Sequence, residues 1–172
     1  KLVAYYGVKK IYIIDAHFAG KSWVKKYPLL FVSAVPSLKQ TAKREFGQDT
    51  VFLSPDKGGK RRTGITGMKK KRKSSYEVEM GSADSLKELI KNRTVAVVDD
   101  LIETGGTLAG FYDECKKAGV KDVVALVTHG VLRSGISRIK KKYAKVYLTN
   151  TINRKEANLD ITNLILQVTS TH

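Results

Sequence analysis

Cysteine is almost missing from this sequence. Cys115 is the single one in 172 residues. That excludes an internal disulfide or a cysteine-built zinc cluster within these residues and suits the reducing cytoplasm. Long apolar runs are missing too. No stretch is long and apolar enough to span a bilayer, and the opening Lys-Leu-Val-Ala-Tyr-Tyr-Gly is not a signal peptide. No membrane is therefore expected as a partner. Acidic residues are scarce, with 16 Asp and Glu against 32 Lys and Arg, for a net charge of +16. Such a charge raises nucleic acid as a partner, and it equally suits an enzyme of polyanionic substrates. Cys115 lies in a helical pattern and reads as a small packing residue. What remains is an ordinary apolar fraction and a length of one domain, or one domain and part of another.

The chain is organised around Val95–Thr107. A short β-branched run reads as a buried strand, and Asp99 and Asp100 stand at its C-terminal end. Leu101-Ile102-Glu103 and a Thr104-Gly105-Gly106-Thr107 turn follow, and Leu108–Ala118 has helical spacing. Open α/β sheets bind ligands at the carboxyl ends of their strands. The glycines let backbone approach a phosphate, the helix N-terminus supplies the positive pole, and Thr104 and Thr107 add hydroxyl donors. Carboxylates beside a phosphate loop need another task. Binding the cis hydroxyls of a ribose, directly or through Mg²⁺, is a natural one. A ribose 5-phosphate site is expected here.

Before this loop, Lys1–Tyr6 reads as the end of a helix capped by Gly7, as in a chain whose beginning lies upstream. Lys10–Ile14 reads as a strand ending in Asp15-Ala16-His17; taken alone, His17 reads as structural or surface. Phe18–Pro28 is expected to be irregular, with Trp23 in packing or an interface. Leu30–Ser33 is a short apolar run. Ala34–Phe46 has helical spacing, with Ser33 as cap and Pro36 in the first turn. Thr50–Leu53 reads as a strand leading into Ser54-Pro55-Asp56-Lys57-Gly58-Gly59, a second acidic strand end with a glycine turn. The basic run Met68–Lys73 admits three readings: a solvated loop, a nucleic-acid patch, or a mobile loop neutralising phosphate oxygens. No interleaved aromatics support the second, so nucleic acid is not the expected partner.

After the main helix, Gly119 reads as a stop. Asp122–Thr128 reads as a strand ending in His129-Gly130, with His129 structural. Ser134–Lys142 reads as a helix, Lys145–Thr149 as a strand, Asn158–Asn163 as irregular and Leu164–Val168 as a last strand. This alternation implies an α/β fold with a mostly parallel twisted sheet flanked by helices.

Four patches, in order, resemble the active-site motifs of the phosphoribosyl pyrophosphate (PRPP) synthetases, or ribose-phosphate diphosphokinases. They are Asp15-Ala16-His17, Ser54–Gly59, Lys70-Lys71-Arg72 with Val78-Glu79, and Asp99–Thr107. Thr128-His129-Gly130 and Thr149-Asn150-Thr151 resemble later strand ends of that family. The loop also resembles the PRPP signature of type I phosphoribosyltransferases. The resemblance implies a type I phosphoribosyltransferase fold, with residues 1–33 ending an N-terminal domain of that kind and 34–172 forming the C-terminal one. It spans roughly the C-terminal half to two-thirds of such an enzyme.

The same resemblance assigns roles. Asp99, Asp100, Glu103, Thr104, Gly105, Gly106 and Thr107 would bind ribose 5-phosphate. His17 and Asp56 would hold Mg²⁺, with His17, Lys70 and Arg72 on the ATP phosphates. Lys70 and Arg72 would stabilise the transferring diphosphoryl group catalytically. The implied reaction is attack of the ribose 1-hydroxyl on the β-phosphorus of ATP, with AMP leaving, in a cytoplasmic homo-oligomer, dimer or hexamer. Glu103 stands where the family has aspartate, Lys60–Gly67 is too short for the family's helix and strand, and no closing helix is expected after the last strand. The alternatives are a PRPP-consuming purine or pyrimidine phosphoribosyltransferase, which shares the loop, and a non-catalytic regulatory subunit.

Overall fold

Four apolar runs line up as one parallel sheet in the order β3-β6-β7-β8: β3 (Val51–Leu53), β6 (Thr94–Ile102), β7 (Asp122–Gly130) and β8 (Lys145–Leu148). The computed structural model describes residues 2–55, 68–71, 75–78 and 83–170, with only the backbone at 3–4, 68–71, 75–78 and 83–86. The central strands β6 and β7 are buried on both faces, which is why they read as continuous apolar runs rather than alternating ones. One face packs on α4 (Gly106–Lys117) and α5 (Arg133–Lys140), through Val95, Val97, Leu108, Phe111 and Ile136. The other packs on α2 (Val35–Phe46), through Ala96, Val98, Leu38 and Ala42. Each fully buried Val, Leu, Ile or Phe side chain among these contributes about 1.5–3 kcal/mol.

The N-terminal residues build a separate two-stranded parallel sheet, β1 (Ile11–Ile14) with β2 (Leu29–Val32). Short helix α1 (Leu2–Tyr5) precedes it, and α3 (Ala83–Ile90) leads into β6. Residues 18–28 are less irregular than the sequence suggests, because Ser22–Lys26 forms a 3₁₀ turn. Trp23 stacks on Phe18 with centroids 5.1 Å apart and meets Tyr27 edge-on, the packing role expected of it. The basic run contributes β4 (Met68–Lys71), paired antiparallel with β5 (Ser75–Val78), so residues 68–71 are strand rather than loop.

Two local expectations fail for physical reasons. Leu164–Val168 is not a strand; it lies in helix α6 (Thr162–Ser170), so a helix does follow β8. Its apolar residues do not alternate, and a short apolar run leaves the period undecided. The deciding signal is Asp160, whose Oδ1 accepts the Thr162 amide at 2.8 Å and hydroxyl at 2.6 Å and turns the chain into the helix. Those bonds hold the Asp160 carboxyl below its ordinary range. Helix α2 is capped at Ala34 rather than Ser33, although Ser33 Oγ does accept the Val35 amide at 3.3 Å. Among the described residues, no helix is long and apolar enough to cross a membrane.

Cys115 is buried in the α4 face of the core, and burial pushes its thiol up to about 12. Native protein at pH 8 should therefore resist thiol reagents and label only as fast as it unfolds. Labelling in water as fast as in denaturant would contradict this. Cys115 should also lower stability as pH rises from the ordinary thiol value of 9.0 toward about 12, because only the unfolded thiol ionises there.

Candidate active site

The carboxyl ends of β1, β6 and β7 converge. β6 delivers Asp99 and Asp100, buried at 8 % and 2 % exposure. Asp99 Oδ1 accepts the Asp100 amide at 3.0 Å. Asp100 Oδ2 lies 2.7 Å from His17 Nδ1, an ion-pair distance spanning 83 positions of sequence. Nδ1 is thereby taken, which leaves Nε2 of this exposed ring as its other polar atom.

The loop after β6 closes a cleft of about 170 Å³ lined by His17, Asp99, Asp100 and residues 101–108. Glu103, Thr104, Gly106 and Thr107 are exposed around it. Gly105 is buried in left-handed backbone at φ +71° and starts α4. The first helical bond runs from the Ala109 amide to the Gly105 carbonyl at 2.9 Å. The amides of Gly106, Thr107 and Leu108 therefore come before any intrahelical acceptor and line the cleft mouth, with no acidic residue in the first turn. A helix start of this kind suits an anion.

The loop is shaped from beneath by α5. A Cβ on Gly135 would stand 2.0 Å from the Glu103 carbonyl oxygen, so only glycine lets α5 approach. A Cβ on Gly106 would meet nothing nearer than Thr104 Oγ1 at 3.7 Å. The chain itself does not require that second glycine.

The sequence pattern of the phosphoribosyl transferase domain family matches residues 37–163. The chain belongs to that family. The chain is similar to curated proteins named ribose-phosphate pyrophosphokinase. That of Thermococcus kodakarensis is 30 % identical, over 93 % of this chain and 59 % of the relative. That of Gloeobacter violaceus is 31 % identical, over 88 % and 48 %. The chain thus spans about half to three-fifths the length of these relatives. Among solved structures, the phosphoribosylpyrophosphate synthetase of Mycobacterium smegmatis superposes with a TM-score of 0.77 at 24 % identity, over 99 % of this chain and 60 % of that one. At that identity the likeness speaks for the fold.

The structure brings His17, from before the matched domain, together with Asp99, Asp100 and Glu103–Thr107 in one cleft. Asp56 and Arg72 lie outside the described residues, and Lys70 is described only as backbone in β4. His129 has the structural role expected: Nε2 donates to the Ile14 carbonyl at 2.9 Å and Nδ1 faces Thr151 Oγ1 at 2.9 Å. Sequence reasoning missed Gly135. The available signal was a glycine near the start of a helical pattern, which lowers helix propensity by about 1 kcal/mol unless close packing needs it.

The two glycines should separate cleanly on substitution. Gly135→Ala should lower unfolding free energy by about 2–3 kcal/mol, as overpacking does, measured by urea denaturation. Gly106→Ala should stay within about 0.5 kcal/mol of wild type. Equal stability of both variants would show that α5 does not press on the loop.

Proposed function

We propose that this chain carries the ribose 5-phosphate half of a PRPP synthetase, transferring diphosphate from ATP to the 1-hydroxyl of ribose 5-phosphate. One observation carries the reading. A histidine from the β1 sheet is bonded to the carboxylate that ends the phosphate-loop strand. A base phosphoribosyltransferase needs the loop but not this second strand end. The names of the curated relatives support the same reaction. The separate β1–β2 sheet, and a family match starting only at residue 37, support reading residues 1–33 as the end of a preceding domain and 34–172 as the C-terminal one.

On this reading the α4 amides and the hydroxyls of Thr104 and Thr107 receive the 5-phosphate. Glu103 borders the cleft, with a longer reach than aspartate. Asp99 and Asp100 orient the ribose hydroxyls. His17 presents Nε2 to the ATP phosphates, and Lys70 and Arg72 neutralise the oxygens of the transferring group. The 1-hydroxyl attacks the β-phosphorus, AMP leaves with the cleaved bond's electrons, and the hydroxyl proton passes to solvent. No covalent nucleophile is needed, because phosphoryl transfer rests on positioning and charge.

Mg²⁺ would neutralise phosphate charge when bound. Among the described residues, no group of three or more His, Cys, Asp or Glu could cage it. Adjacent carboxylates completed by substrate phosphates nevertheless suit this hard cation, which keeps few protein ligands. Asp56 is a fitting oxygen donor, while the nitrogen of His17 suits a phosphate better than Mg²⁺. Exposed Trp23, Phe31 and Leu166 favour a homo-oligomer, a dimer or hexamer by family resemblance.

The test is AMP and PRPP formation from MgATP and ribose 5-phosphate. Asp100→Asn should reduce turnover at least about 100-fold by releasing His17 and disturbing the ribose contacts. Gly106→Ala should weaken ribose 5-phosphate binding about tenfold while leaving the fold intact. Pyrophosphate release from PRPP and a nucleobase, without AMP formation, would instead establish a transferase. Ligand binding with neither turnover would leave a regulatory subunit.

A further inference from the structure

A carboxylate that this chemistry does not use lies two residues before His17. Asp15 is 6 % exposed, at φ +39°, left-handed backbone that costs a non-glycine residue energy. Three donors converge on it. The Ser33 hydroxyl meets Oδ1 at 2.7 Å; the Ala34 amide at 3.0 Å and the Thr128 hydroxyl at 2.6 Å meet Oδ2. A carboxylate has about four acceptor positions, so little capacity remains for a ligand.

One residue earlier, the Ile14 carbonyl accepts His129 Nε2. Consecutive residues at the end of β7 thus grip consecutive residues at the end of β1. No strand pairing joins the β1–β2 sheet to the main sheet among the described residues. His17 then extends from a turn with 65 % of its side chain exposed, yet reaches Asp100 at 2.7 Å. An exposed side chain holds such a bond only when its backbone base is fixed.

We infer that Asp15 is a positioning residue: held by Ser33, Ala34 and Thr128, its carboxylate fixes the end of β1 so that His17 meets Asp100, and it binds neither metal nor substrate. The kinetic consequence rests on the proposed synthetase reaction; the structural one does not.

The test compares Asp15→Asn and Thr128→Val with Asp100→Asn. Asparagine tolerates left-handed backbone, so Asp15→Asn isolates the loss of charge and acceptors from backbone strain. The first readout is the His17 imidazole NMR signature at one fixed pH. Both variants should move it toward that of Asp100→Asn, while ribose 5-phosphate affinity stays within about twofold. The second is turnover. Asp15→Asn should lose about 100-fold and Thr128→Val about tenfold in kcat, since misplacement by about 1 Å costs up to about 100-fold. The double variant should be no worse than Asp15→Asn alone.

Unmoved His17 signals in Thr128→Val would overturn the inference. So would a raised Mg²⁺ requirement in Asp15→Asn with Thr128→Val silent, the behaviour of a metal ligand. If Asp15→Asn fails to fold, Thr128→Val decides by the same NMR comparison. Wild-type protein that makes no AMP would remove the reaction, and the NMR arm would still decide the role of Asp15.

Discussion

Burial of one strand on both faces governs the site. β6 sets Val95 and Val97 against α4 and Ala96 and Val98 against α2, and the same strand carries Asp99 and Asp100 into the cleft. Two buried charges side by side would repel unless each is matched. Each finds its own donor, the Asp100 amide for one and His17 for the other.

The glycines of this region answer to different demands. Gly105 takes a left-handed turn under the weight of α5, since a Cβ there would stand 3.0 Å from the Gly135 carbonyl. Gly135 yields space to the loop backbone. Gly106 alone has room for a side chain within the fold. Nothing in the fold requires that glycine, and the helix amides beside it suit an anion.

Much of this was legible in the sequence. The buried strands, the loop and the helix after it are local patterns, in which period and turn chemistry agree. The carboxylate pair and the His17 strand end were legible as residue types at strand ends. Their bond was not, because 83 positions separate the partners. The start of α2 shows the same limit. A local search proposes Ser33 as cap, whereas the buried group meeting the Ala34 amide is the carboxylate of Asp15, from a different strand. Leu164–Val168 failed for the opposite reason: the pattern is local but too short to fix a period, and one aspartate four residues upstream decides it. The contact of Gly135 with the loop belongs to neither class, since no side chain makes it.

Charge sets the last constraint. With 32 basic and 16 acidic side chains, at least 16 cations cannot have a carboxylate each (32 − 16). Among the described residues, surface ion pairs such as Lys117 with Glu114 and Lys142 with Asp113 sit in water and add little to the fold. Two further acids, Asp99 and Asp100, are buried at the cleft. The excess cations repel one another in the free protein, so they oppose the compact state rather than support it. The apolar core facing both sides of the main sheet outweighs that repulsion. A reason for retaining the charge must then come from outside the fold. On the proposed reading, polyphosphate ligands would be such a reason: they would lower the repulsion when bound and be drawn toward the surface before they bind.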